Sequence, residues 1–273
     1  MKLRNLMFVL PNLFTVSTIF CGFYAITLCT GEKVAAPQLY QAALTIFFAI
    51  FFDGFDGRVA RLTKTQSMFG QELDSLADFV AFGVAPALLV WKWAFQPFGL
   101  LGIFISFLFA ACGALRLARF NVLAMRSTTG GSNRFFVGMP TPFAAAGVVS
   151  MVIAFHHAKE EQLSEQTRWL LLSAVTFLAL LMVSTVRYRT FKNIKPTTST
   201  VSILLGIIAA GVVMSAISHP SWVLMAYFAL YLLLGLAESA FMLKRYFTQK
   251  MMSHSFANVA DKGEAEPHKK PPD

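Results

Sequence analysis

The reading of this chain turns on DGFDGRVARLTKTQSMFGQELDSLAD, residues 53–78. The stretch gathers four aspartates, three glycines and two arginines in a chain of 273 residues of which only 14% are charged. Hydrophobic residues make up 56%, and the mean hydropathy is +0.60. Such values lie outside the usual range of a soluble globular domain. Acidic residues therefore cluster where apolar helices are expected, and that placement asks for a physical reason.

Working outward from the stretch, apolar runs of about twenty residues recur on both sides, each long enough to cross a ~30 Å hydrocarbon layer as a helix. Spans are expected near 9–29, 38–57, 76–95, 98–118, 141–157, 169–187, 201–218 and 222–243. The fold class is thus an all-α integral membrane protein, a bundle of about eight transmembrane helices. The start, MKLRNLMFVLPNLF, is read as the first helix and not as a cleaved leader. Residues 1–247 form the membrane domain, and 248–273, ending AEPHKKPPD, are expected to be a polar, disordered cytoplasmic tail.

Charge fixes the expected orientation, because Lys and Arg stay on the cytoplasmic side of short loops. With the N-terminus inside, only Lys33, Lys92, Lys159 and Arg168 of the 23 basic residues face outward. Both termini and the aspartate-rich turn are then cytoplasmic. The formal charge of +9 reads as orientation plus attraction to anionic membrane lipid, not as a nucleic-acid footprint. Cys21, Cys29 and Cys112 have no metal-like or redox spacing and are expected to be small packing residues. His156 and His157 are expected in an outer loop, and Trp91, Trp93, Trp169 and Trp222 at span ends as an interfacial belt.

Asp53 and Asp56 are three apart at the end of one span; Asp74 and Asp78 are four apart at the start of the next. Each pair shares a helix face, and the short intervening turn brings the pairs opposite each other. An ionised Asp deep in a membrane costs about 2.5–3.5 kcal/mol. Four together would also repel one another unless a cation neutralised them. Hard oxygen donors favour Mg²⁺ or Mn²⁺, with Ca²⁺ an acceptable occupant, and such a site suits phosphate chemistry. A lone aspartate such as Asp74 could instead cap a helix. Gly54, Gly57 and Gly70 permit close approach of a helix or a ligand.

Asp53, Asp56, Gly57, Ala60, Arg61, Gly70, Asp74 and Asp78 together resemble the signature of the CDP-alcohol phosphotransferases, D-x-x-D-G-x-x-A-R-x(8)-G-x-x-x-D-x-x-x-D, with every defining position filled. FGVAPA at 82–87, RLARFN at 116–121, GMPTPFAAA at 138–146 and RYRTFKNIK at 187–195 are similar to the branch that transfers a phosphatidyl group from CDP-diacylglycerol to L-serine, releasing CMP. The resemblance covers about residues 5–195. It implies a polar catalytic cavity at the cytoplasmic side of a bacterial inner membrane, and a homodimer. It also implies that Asp53, Asp56, Asp74 and Asp78 hold divalent cations, with Asp78 as general base. Asn12, Thr15, Gly57, Ala60, Arg61 and Gly70 would contact the nucleotide end of the lipid. Serine needs a partner for its carboxylate, for which Arg116, Arg119, Asn121, Arg126 and Lys192 are candidates, Arg119 with Asn121 first. Two alternatives stand beside this reading: the same chemistry on glycerol 3-phosphate, an inositol phosphate or choline, and a cation-coupled transporter with an acidic site.

Overall fold

A computed structural model describes residues 3–31, 33–63, 67–126, 135–157, 163–185 and 187–189, together with Ala229. The spans expected at 201–218 and 222–243, Ala229 apart, the tail, and Lys192 lie outside the described residues. Seven α-helices are present among them: α1 (Leu3–Cys29), α2 (Ala36–Thr63), α3 (Met68–Asp78), α4 (Ala85–Val90), α5 (Leu100–Arg126), α6 (Thr141–His157) and α7 (Glu165–Val183). The protein is a mainly helical membrane protein, and among the described residues four segments are long and apolar enough to cross a membrane: Asn12–Cys29, Met68–Phe98, Leu100–Leu123 and Glu165–Val183. One small addition to the all-α expectation is an antiparallel pair of three-residue strands, β1 (Phe135–Val137) and β2 (Arg187–Arg189), with Phe136 opposite Tyr188.

The third span begins earlier than its apolar run suggests. Ser67 caps α3, its hydroxyl accepting from the Gly70 N–H at 3.0 Å, so the helix starts eight residues before the expected 76. Asp74 is therefore in the second turn of α3 and is not its cap. From α3 the chain continues without a loop through a π-helical stretch (Phe79–Val84), α4, a second π stretch (Trp91–Phe95) and a 3-10 turn (Gln96–Phe98). Each π stretch lies next to a proline, Pro86 or Pro97. Proline has no N–H to donate and crowds the carbonyl four residues back, so the ladder shifts to wider bonds around it. One such bond runs from the Ala85 N–H to the Val80 carbonyl.

Two apolar cores hold the bundle. In one, Ala25, Ala42, Ala43, Ile46, Phe82 and Leu89 bring α1 and α2 against the third span, with Val149 and Val152 of α6. In the other, Phe95, Phe109, Val148, Val175, Leu178 and Met182 join the third span to α5, α6 and α7. Cys21, Cys29 and Cys112 are free thiols, the last two buried among these side chains. The small residues set the spacing. A Cβ added at Gly22 would lie 2.8 Å from Cα of Ala81, so α1 and the π stretch touch backbone to backbone.

The bundle has two distinct ends. At one, Tyr40 stacks on His156 at 4.5 Å, Lys92 donates to the Gly31 carbonyl at 2.6 Å, and Phe98 meets Trp169 edge-on at 4.7 Å. His156 is thus part of α6, not of a loop; its ring fits the half-buried end of the helix beside Tyr40. The aspartates lie at the other end, with the C-termini of α2, α5 and α7.

The Gly22 contact yields a direct test. Gly22→Ala should force backbone movement costing about 1–3 kcal/mol and lower the thermal unfolding midpoint in detergent. Gly54→Ala, which would meet nothing within 4 Å, should leave the midpoint unchanged or raise it.

Candidate active site

Four helices build the site. Asp53 and Asp56 project from the end of α2, and Asp74 and Asp78 from α3. One carboxylate oxygen from each of Asp53, Asp56 and Asp74 falls within a span of 4.8 Å. Asp78 completes the group, placed within hydrogen-bonding reach of Asp53, as Asp74 is of Asp56. The i, i+3 and i, i+4 spacings thus place the pairs opposite each other across the turn.

Such an arrangement needs neutralising. Ionised carboxylates at this range repel strongly away from bulk water, and they stay together only with a proton or a cation between them. Asp56 is buried. Among the described residues, one oxygen of Asp74 and one of Asp78 are buried with no hydrogen-bond donor. Buried polar atoms are rarely left so, and two orphaned carboxylate oxygens beside an all-carboxylate cluster fit a hard divalent cation as the missing partner.

Around this centre, α1 and α5 contribute the polar neighbours. The Thr15 hydroxyl donates to Oδ2 of Asp56 at 3.1 Å. Asn12 lies near Gly70, where a Cβ would come 3.8 Å from its Oδ1. Gly57 is half-buried, and Ala60 and Arg61 belong to the last turns of α2, their side chains being outside the described set. Arg116 is 7% exposed and acts electrostatically on both Asp53 and Asp78. Its guanidinium donates to Thr141 Oγ1 at 3.4 Å and lies 5.6 Å from the centre of the Phe120 ring.

The other candidate serine ligands are placed differently. Arg119 donates to the carbonyls of Val183 and Ser184 at 2.9 and 3.2 Å, capping the C-terminal end of α7. Gly138, at φ 82°, lets the backbone pass beside that guanidinium: a Cβ there would lie 2.7 Å from Nη2. Asn121 and Ser75 of α3 bond each other, the Asn121 amide donating to the Ser75 hydroxyl at 3.0 Å. Arg126 ends α5, its side chain outside the described set.

Sequence reasoning overlooked Thr141, Ser75 and Ser67 as site supports. Only Ser67 carried a legible signal, a serine ahead of a helix-forming run. RLARFN and GMPTPFAAA meet through Arg116–Thr141 and Arg119–Gly138, although twenty-five residues separate the first pair.

The sequence model of the family described as CDP-alcohol phosphatidyltransferase matches residues 8–183. A CDP-diacylglycerol–serine O-phosphatidyltransferase of Helicobacter pylori is 42% identical over 191 residues, covering 70% of this chain and 76% of its own. The Bacillus subtilis protein of the same description is 33% identical over 184 residues, covering 67% and 92%. That of Saccharomyces cerevisiae is 39% identical over 154 residues, covering 55% and 54%.

A cation at the cluster should register as stability. Saturating Mn²⁺ at about 100 times its Kd should stabilise the wild-type protein by about 2.7 kcal/mol, read as a rise in unfolding midpoint in detergent. Asp74→Asn should be the more stable of the two in chelator, having lost one repelling charge, and should gain much less from Mn²⁺.

Proposed function

Because the chain belongs to the CDP-alcohol phosphatidyltransferase family, we propose that it transfers the phosphatidyl group of CDP-diacylglycerol to the hydroxyl of L-serine, giving phosphatidylserine and CMP. The observation that carries the reading is the convergence of Asp53, Asp56, Asp74 and Asp78 at one end of a membrane bundle, two of them with an orphaned oxygen. The serine acceptor is supported by relatives described as CDP-diacylglycerol–serine O-phosphatidyltransferases.

In this reading Asp53, Asp56, Asp74 and Asp78 hold Mg²⁺ or Mn²⁺. The bound ion supplies charge neutralisation for the pyrophosphate and for the departing CMP. The protein's own groups do the rest. Asn12, Gly57, Ala60, Arg61 and Gly70 form the nucleotide edge, where the glycines and alanine leave room for a base and ribose, and Thr15 stands behind it against Asp56. Arg116 is the best supported partner for the serine carboxylate: it is buried beside the aspartates and carries a planar fork of donors suited to a carboxylate. Arg119, Asn121, Arg126 and Lys192 complete the candidate acceptor side.

Asp78 is the general base. A serine hydroxyl is a weak nucleophile at neutral pH and needs its proton removed as it attacks. One oxygen of Asp78 has no donor to compete with that proton. The serine Oγ–H bond breaks with its proton going to Asp78, and an Oγ–P bond forms at the lipid-side phosphorus. The bond from that phosphorus to the bridging oxygen breaks, and its electron pair leaves on CMP.

Water-soluble serine, the nucleotide and the lipid phosphate can meet only at an interface. We place the site at the cytoplasmic face of a bacterial inner membrane, both termini inside. Residues 1–247 would form the membrane domain, 248–273 a polar tail, and the working unit a homodimer.

The test is CMP release from CDP-diacylglycerol by purified protein with Mn²⁺ or Mg²⁺, with and without L-serine. Release should require both metal and serine, and Asp78→Asn should lower kcat by about 10²- to 10⁴-fold without unfolding the protein. Release that needs metal but proceeds only with another alcohol would keep the chemistry and remove serine. A folded preparation that releases no CMP with any acceptor would turn the reading to cation transport.

A further inference from the structure

The buried face of α1 runs through Thr15, Thr18, Gly22, Ala25 and Cys29, spaced three and four apart so that all face the bundle. Packing explains why these residues are small; it does not explain a hydroxyl at position 15. The hydroxyls of Ser17, Thr18, Thr45 and Thr63 bond carbonyls of their own helices, a common habit of helical Ser and Thr. The Thr15 hydroxyl makes a bond to a different helix, donating to Asp56 Oδ2 at 3.1 Å. Both partners are buried, at 4% and 6% exposed.

We propose that Thr15 is a positioning residue of the cation site, holding the carboxylate of Asp56 in the orientation that faces Asp53 and Asp74. The inference rests on the reading of the aspartates as a cation site, and it gives α1 a part in that site. A hydrogen bond to a carboxylate is among the stronger kinds, and one made to Oδ2 fixes the plane of the group while leaving lone pairs for a metal. A β-branched residue is suited to the task, because its χ1 is stiff and the backbone then sets the direction of the hydroxyl. The backbone is itself held, since Gly22, two turns along the same face, seats α1 directly against Ala81. Asp56 cannot turn away from the cluster while that bond persists. The geometry also gives Thr15 little surface to offer a nucleotide, so its part in the reaction runs through Asp56.

The experiment is a Mn²⁺ titration of the purified full-length protein in detergent, without substrate, followed by the electron paramagnetic resonance of free Mn²⁺. Partners of metal ligands typically cost 10- to 100-fold in affinity when removed. Thr15→Val, nearly isosteric, should therefore weaken Mn²⁺ binding by about 10-fold or more. Thr15→Ser, which keeps the hydroxyl, should retain most of the affinity, and Thr18→Val should not change it. Wild-type affinity in Thr15→Val, with a raised KM for CDP-diacylglycerol, would overturn the inference alone and return Thr15 to the nucleotide edge. Wild-type Mn²⁺ binding that Asp56→Asn leaves intact would overturn the cation site and this inference together.

Discussion

Four carboxylates held together at the end of an apolar bundle are the constraint on which the rest of this structure depends. Their repulsion is unfavourable wherever water is scarce, so every neighbouring element has to oppose it. α2 and α3 present the aspartates from opposite sides of a short turn. α1 supplies the Thr15 hydroxyl, and α5 supplies the buried Arg116 guanidinium. Among the described residues Arg116 brings a single positive charge to the four carboxylates, and a divalent ion would offset what remains.

The C-terminal end of α5 is where the structure is fastened. Within six residues it reaches three other helices. Arg116 bonds Thr141 at the start of α6, Arg119 caps α7, and Asn121 bonds Ser75 of α3. A single helix end thus fixes how α3 stands relative to α6 and α7, and with it the distance between the aspartates and the candidate acceptor side. Residues that look like a row of basic headgroup contacts in sequence are shared between bracing the bundle and facing the site.

Much of this was legible in the sequence, for identifiable reasons. α6 runs over 141–157 as its apolar run suggests, because a helix buried among neighbours is apolar on all sides and its ends coincide with Pro140 and with the polar sequence that follows His157. The opposition of the two aspartate pairs followed from spacing alone. The early start of α3 did not, since Met68–Asp78 mixes charged and apolar residues and its amphipathic face shows only once a partner is known. The grip of Arg119 on α7 was hidden as well. It joins residues some sixty-five positions apart, and nothing local distinguishes a guanidinium that caps a helix from one that binds a ligand.

The π-helical turn at Phe79–Val84 has a consequence for how the site can vary. A π-turn is in effect an α-helix carrying one surplus residue, so the third span is two helical segments set in different phase. The segment before it aims Asp74 and Asp78, and the one after it seats Ala85, Leu89 and Val90 in the cores. Straightening this turn into a plain α-helix with no residue lost would swing the aspartates by about 100° about the axis relative to the packed segment, leaving the packing intact and the site dismantled. The wide turn between Asp78 and Pro86 is therefore what keeps the aspartates and the packed face in register with each other.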